Sequence, residues 1–251
     1  MDSRLLELNL KTSLSAIASL ALPGRCVVCG RRLNLRERDI CLECMADLPL
    51  THYGNMLHNP MADRYNTAIN EGLEEYEPYQ AATALIFYSS FDGYANIPRD
   101  LKYYRNTRTG RAFSHMLALS LREGRQFDDI DLVVPVPLHW MRRLKRGYNQ
   151  AEVIAKEVSC TLGVKMEPHL LRRSRRTSTQ TAVGVGAKAR NVRGAFTVNS
   201  GKARKRNVVH HILLVDDVLT TGATLAECHR ALRSFYGSGV RISCATLAMV
   251  G

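Results

Sequence analysis

The sequence predicts an α/β fold, a largely parallel sheet with flanking helices, with a small four-cysteine module ahead of it. Three observations predict it. From Ala82 onward, strand-like and helix-like segments alternate, the pattern of βα units laid side by side. His211-Ile-Leu-Leu-Val215 is an apolar run without alternation, as a central strand covered on both faces requires. Four of the 7 Cys fall within nineteen positions as two Cys-x₂-Cys pairs, which is the spacing of a metal site.

The elements follow in order. Leu5, Leu8, Ala16, Ile17 and Leu20 fall at helical spacing, interrupted by Glu7, Asn9, Lys11, Ser13 and Ser15. This is an amphipathic helix expected to dock on the body, too polar for a signal peptide or a membrane span. The cysteine module runs to about Pro49. Residues 51–80, rich in Gly, Asn, Pro and Glu, read as a linker with one short helix. Ala82–Tyr88 is a strand, a helical pattern lies within Tyr94–Glu123, and Asp131–Val134 is a short buried strand stopped by Pro135 and Pro137. Asn149–Leu162 reads as an amphipathic helix and Ala195–Val198 as a strand. Ala223–Tyr236 is a helix closed by the Gly237–Gly239 turn, and Val240–Val250 is the last strand. The division is therefore 1–50 for the N-terminal helix and zinc ribbon, 51–80 for the linker and 81–251 for the α/β domain.

A chain of 251 residues suffices for one mid-sized domain and a small one. An odd number of cysteines argues for a reducing, cytoplasmic compartment. The net charge is +12, and from Arg142 to Arg206 there are 17 Lys plus Arg against three Glu and no Asp, a net of +14. Such a field attracts nucleotides, pyrophosphate or nucleic acid.

The most informative segment is His211–Thr224. A buried strand ends in Asp216 and Asp217, and the turn Thr220-Thr-Gly-Ala-Thr224 leads into a helix. In an open parallel sheet ligands bind at the carboxyl ends of strands. A helix N-terminus offers unpaired N–H groups and positive partial charge to a phosphate. Gly222 allows close backbone approach, and the threonines add hydroxyl donors. The paired carboxylates can accept from a vicinal diol or help to hold a hydrated Mg²⁺. Helix capping would explain one of these residues, not all of them. Neither a Gly-Lys-Ser/Thr ending nor a Gly-x-Gly-x-x-Gly fingerprint is present.

Two basic segments accompany it. Arg142, Arg143, Lys145, Arg146 and Gly147 follow the Asp131 strand in what reads as a loop suited to pyrophosphate, with guanidinium forks and loop N–H groups on the oxygens. Arg172–Arg193 is basic and rich in Ser, Thr and Gly, the composition of a lid that closes on an anionic substrate; Gln180, Lys188, Arg190 and Arg193 are its candidate contacts. Cys26, Cys29, Cys41 and Cys44 have the pairing of a structural four-thiolate zinc site, with an iron–sulfur cluster as the rival. Cys160, Cys228 and Cys244 read as small buried hydrophobes.

Val215-Asp-Asp-Val-Leu-Thr-Thr-Gly-Ala-Thr224 resembles the PRPP-binding motif of type I phosphoribosyltransferases. The resemblance implies that Asp216 and Asp217 contact the ribose hydroxyls. It also implies that Val218 and Leu219 lead into a cradle for the 5′-phosphate made by Thr220, Thr221, Gly222, Ala223 and Thr224, with Mg²⁺ bound alongside PRPP. The chemistry would be displacement at the ribose C1′ with pyrophosphate leaving. Residues stabilising the leaving group follow from the basic segments, but no general base is evident. The four-cysteine ribbon, Pro135-Val-Pro-Leu138, Arg146-Gly-Tyr-Asn-Gln150 and Gly194-Ala-Phe196 extend the resemblance, nearly end to end, to the competence protein F (ComF) family. That family is linked to natural transformation, where incoming single-stranded DNA is handled with helicases. Three function classes follow: an enzyme transferring phosphoribosyl groups from PRPP or another phosphorylated ribose ligand; an adaptor binding single-stranded DNA and a DNA-uptake helicase, with Tyr103, Tyr104, Trp140 and Tyr148 available to stack on bases; and a PRPP-sensing regulator. Type I relatives often form homodimers, but no feature of the sequence decides the oligomeric state.

Overall fold

The computed structural model describes residues 24–89, 92–104, 107–173, 194–203 and 209–251. The N-terminal amphipathic segment and the candidate lid residues Gln180, Lys188, Arg190 and Arg193 lie outside the described residues.

The elements are α1 (Leu42–Ala46), α2 (Pro60–Asn70), β1 (Ala82–Tyr88), α3 (Asn96–Arg99) with a π-helical turn at Asp100–Tyr104, α4 (Thr107–Glu123), β2 (Leu132–Pro135), α5 (Trp140–Arg146), α6 (Gln150–Leu162), β3 (Lys165–Met166), β4 (Leu171–Arg173), β5 (Phe196–Val198), β6 (His211–Leu219), α7 (Ala223–Tyr236) and β7 (Arg241–Val250). Five strands form one parallel sheet in the order β1-β7-β6-β2-β3. β6 alternates its side chains between two cores. Ile212 and Leu214 pack with Met61, Tyr65 and Leu232 of α2 and α7, whereas Leu213 and Val215 pack with Phe113, Leu117 and Ile154 of α4 and α6. Burial on both faces explains why its sequence lacks alternation. Among the described residues no helix is long and apolar enough to cross a membrane.

Four features differ from expectation. The stretch 51–80 is more than a connecting linker. α2 starts on an Asn59 cap whose Oδ1 accepts from the N–H groups of Met61 and Ala62, has Pro60 at its first turn, and buries Met61, Ala62, Tyr65 and Ile69 fully. The basic segment after β2 is a helix, α5, capped by His139 and ended by Gly147 at φ 81°. Within it the N–H groups of Arg143 and Gly147 donate to the His139 and Arg143 carbonyls. β5 does not join the parallel sheet but pairs antiparallel with β4 in a separate two-stranded sheet. Cys160 is exposed on α6, although Cys228 and Cys244 are buried as expected.

The direction of connection reverses between β2 and β6. From β2 the chain moves outward through α6 to β3, and from β6 it moves the other way through α7 to β7. The crevice at the carboxyl ends of these two strands is the topological switch point, where ligands of open α/β sheets bind. At the opposite end His211 is held between Asp129 Oδ1 (2.8 Å) and Ser243 Oγ (2.7 Å). His211 and Ser243 are buried and Asp129 is exposed, at the amino ends of the strands, away from the crevice.

Candidate functional site

β6 runs further than its apolar run suggests. It stays paired with β7 through Asp216–Thr246 and up to Leu219–Met249, so both carboxylates stand on ordered strand backbone. Asp217 is buried and Asp216 half-buried, and the Oδ1 of Asp216 accepts the Asp217 N–H at 2.8 Å. A cavity of about 170 Å³ opens above them, lined among others by Lys102, Arg146, Gln150, Arg173 and Thr224. Burial, then the charge of Asp217, pushes Asp216 up to about 7.

Lys102 is the residue that sequence reasoning missed. Its Nζ lies 3.0 Å from Asp217 Oδ2. Burial pulls its ammonium down, but the carboxylates of Asp217 and Asp216 outweigh that and hold it above the usual lysine range. It sits in the π-helical turn before α4, and nothing in its local spacing marks it; only the fold brings it to β6. Arg173, at the end of β4, also lines the cavity, with its guanidinium 5.2 Å from the ring centroid of Phe196.

The Thr220–Gly222 turn is braced from behind by α2. Arg64 Nη1 donates to Thr220 O (3.0 Å) and to Val250 O (2.8 Å). Gly222 has φ 79°, and a Cβ there would lie 3.2 Å from Ala68 Cβ and 3.4 Å from Arg64 O. Glycine is thus needed both for the left-handed backbone and for the close approach of α2. α7 starts at Ala223 without a side-chain cap from Gly222, and Thr224 points to the cavity side of its first turn. Leu219 is buried in the core and Val218 packs against the other core, so these two place the motif's backbone, not its side chains, at the crevice.

The basic residues divide. Arg146 lines the cavity, with Tyr103 under its guanidinium at 5.6 Å. Arg143 pairs with Glu152 at 3.4 Å and lines a second cavity of about 330 Å³, with His169 and Arg172, that shares Pro137, Leu138 and Arg173 with the first. The Arg142 and Lys145 side chains lie outside the description. Gly147 is a helix cap: its N–H donates to Arg143 O at 2.7 Å. Of the candidate stacking aromatics, Tyr103 is exposed, whereas Tyr148 is half-buried and donates to Leu101 O.

The four cysteines converge. Their sulfurs all lie within 4.8 Å of one another, and Cys29 Sγ is 3.7 Å from Cys41 Sγ. Zn–S bonds of about 2.3 Å set tetrahedral edges of about 3.8 Å. The set therefore fits a single ion, whereas a multi-iron cluster would spread the thiolates further apart. Gly30, at φ 73°, turns the first knuckle, and its N–H donates to Cys26 O. The Cys44 N–H brings the Cys41 thiol down to about 6, against its burial, with Arg31 adding to the effect. Glu37 joins the two knuckles, accepting from the N–H groups of Asn34 and Leu42 and pairing with Arg31 at 3.0 Å. The module meets the body where Tyr94 Oη donates to Cys44 O and Arg108 pairs with Asp39.

A parallel sheet with a carboxylate pair and a glycine–threonine turn at its switch point defines a phosphoribosyltransferase-type domain, and residues 144–250 match the phosphoribosyl transferase domain family. Over most of its length the chain is also similar to proteins named DNA utilization protein YhgH and competence protein F. It is 27% identical over 224 residues to DNA utilization protein YhgH of Escherichia coli K12 (88% of this chain, 89% of that one). It is 24% identical over 212 residues to competence protein F of Haemophilus influenzae (83% and 90%). YhgH of Salmonella typhi is 25% identical over 228 residues (90% and 97%). The resemblance to the ComF family is borne out.

Proposed function

We propose that the protein binds PRPP at the switch-point crevice and transfers its phosphoribosyl group with release of pyrophosphate, in the service of DNA uptake or utilisation. The observation that carries this reading is the joint placement of Asp216, Asp217 and Thr224, the last residue of the turn, around one polar cavity that Lys102, Arg146 and Arg173 also line. Asp216 and Asp217 accept from the ribose hydroxyls. The first turn of α7 takes the 5′-phosphate. The cations face the diphosphate and stabilise the negative charge that grows on it as the C1′–O bond breaks. Mg²⁺, when bound with the diphosphate, adds charge neutralisation there; the two carboxylates are hard oxygen donors of the kind it accepts. A structural zinc held by Cys26, Cys29, Cys41 and Cys44 fixes the N-terminal module. Calorimetric titration of Mg²⁺–PRPP into the zinc-loaded protein is expected to give micromolar binding, lost in Asp217→Asn. No binding by the folded protein would sink both the transferase and the PRPP-sensor readings.

The relatives' names and the net +14 between Arg142 and Arg206 favour a second reading, an adaptor that binds single-stranded DNA and a helicase. Such binding is phosphate-driven, so its logarithm is expected to fall linearly with the logarithm of salt concentration. No measurable affinity for an oligothymidylate even at low salt would end it.

A further inference from the structure

The segment that carries Lys102 into the crevice starts on the cysteine module. Gly93 packs so closely on the first knuckle that a Cβ there would lie 2.7 Å from Val28 O and 3.1 Å from Val28 Cγ1. Val28 stands between Cys26 and Cys29. The next residue, Tyr94, reaches the second knuckle, where its Oη donates to the Cys44 carbonyl at 3.1 Å. Two consecutive residues thus touch both halves of the four-thiolate site, one by backbone and one by side chain. A metal shared by the four sulfurs is what holds two such knuckles in a fixed relation.

The chain is tied to the module again beyond Lys102. Arg108, in the first turn of α4, pairs with Asp39 at 3.5 Å. Asp39 lies between the knuckles, and its carbonyl accepts from the Val27 N–H at 2.8 Å. Between the two attachments come Ala95, Ile97 and Leu101, all buried, and then Lys102, whose Nζ meets Asp217 at 3.0 Å. Ile97 and Leu101 share one core with Cys26, Ile40, Cys41 and Leu48 of the module. From the body, Tyr148 Oη donates to Leu101 O. Holding a largely buried lysine against a carboxylate costs side-chain entropy and desolvation, so its backbone must be fixed from elsewhere. The module does this at either end.

We infer that the metal-loaded module positions Lys102 in the crevice, and that Tyr94 is a positioning residue of the ligand site. The module's order is passed through Gly93 and Tyr94 to α3 and the π-helical turn, and arrives as one fixed ammonium beside Asp217. Metal occupancy at one site thereby sets ligand affinity at the other. The consequence for affinity rests on the PRPP reading; the position of Lys102 does not, and it has its own measurement.

That measurement is the rate at which acetic anhydride labels Lys102 in the full-length protein, read by mass spectrometry against Lys165, whose side chain is 55% exposed. Chelation of the zinc is expected to speed labelling of Lys102 at least about tenfold and to leave Lys165 unchanged, with amide protection retained in β6 and β7. Tyr94→Phe, which keeps one zinc per chain, is expected to speed it about twofold to tenfold, the range for one neutral hydrogen bond. Mg²⁺–PRPP affinity is expected to fall about tenfold to a hundredfold on chelation, as for loss of one charged contact. In a Lys102→Met background neither chelation nor Tyr94→Phe should change it by more than about twofold, because changes that act through one residue do not add. Equal losses with and without Lys102, or Lys102 labelling unchanged by chelation, overturn the inference. Labelling and affinity both unchanged in Tyr94→Phe remove Tyr94 from it. If the zinc-loaded protein binds no PRPP, the PRPP reading fails and the positioning of Lys102 is judged on labelling alone.

Discussion

Stripping the metal, by chelation or by Cys41→Ser, is expected to unfold residues 24–48 while the parallel sheet stays folded. The module has little else to hold it. Its one described helix is the five-residue α1, and its other regular pairings are isolated bridges at Arg25–Arg32 and Arg38–Ile40. Cys26, Ile40, Cys41 and Leu48 are its buried side chains in the core that continues into α4. A structural zinc in a small thiolate module contributes on the order of 10 kcal/mol, far more than four partly shared apolar residues can replace. The loss should stop near Pro49, because Phe87 N donates to Pro49 O and Thr51 N to Leu85 O, fastening that stretch to β1. Amide hydrogen exchange on the full chain checks this. Protection is expected to vanish at 24–48 and persist in β2 and β6, with one zinc per chain and no visible absorption in the untreated protein. Retained protection after complete metal removal would rule out a structural metal, and a coloured, iron-containing preparation would rule out zinc.

What the sequence made legible was local. His211–Leu219 followed by Thr220–Thr224 and α7 is a contiguous strand, turn and helix, and each piece carries its own signal: unbroken apolarity, a left-handed glycine, a helix N-terminus. The cysteine pairs are local too. Lys102 was not legible, because its partner Asp217 is remote in the chain and the attraction that places it exists only in the folded sheet. Arg64 was hidden differently. Met61, Ala62, Tyr65 and Ile69 do recur at helical spacing behind Asn59-Pro60, but the surrounding Asn, Glu and Gly residues gave the stretch the composition of a linker. The stretch was therefore read as a linker with one short helix, and nothing in it marked that helix as the support of the Thr220–Gly222 turn. α5 has no apolar period in its charged centre; its ends, His139 and Gly147, define it, and both are equally at home in a loop.

The affinity for Mg²⁺–PRPP is expected to fall about tenfold between pH 8 and pH 6, the drop that follows when a group titrating near 7 must be ionised to bind. In the crevice burial, then the Asp217 charge, pushes Asp216 up to about 7, with Lys102 and Arg173 opposing that rise from the π-helical turn and β4. The sulfurs of Cys228 on α7 and Cys244 on β7 pack near it as well. A ribose hydroxyl donates to a carboxylate, so the ligand selects the ionised form and each pH unit below 7 weakens it. The ligand's own phosphate titrates near about 6 and adds a slope; Asp216→Asn keeps that slope and loses the other. The same shift has an opposite consequence for stability. From the ordinary carboxylate range up to about 7, the folded protein keeps a proton that the unfolded chain has released. Stability therefore declines as pH rises through that window and stays lower above it. Asp216→Asn is accordingly expected to raise the unfolding midpoint at pH 8 by about 2–4 °C, the shift given by ~1 kcal/mol in a chain of this length. The same substitution is expected to weaken PRPP by about a hundredfold through loss of the charged acceptor. A substitution that stabilises the fold while disabling the ligand is what separates a carboxylate held for binding from one held for structure. A lower midpoint in the variant, or the same pH slope with and without Asp216, would assign Asp216 to the structure instead.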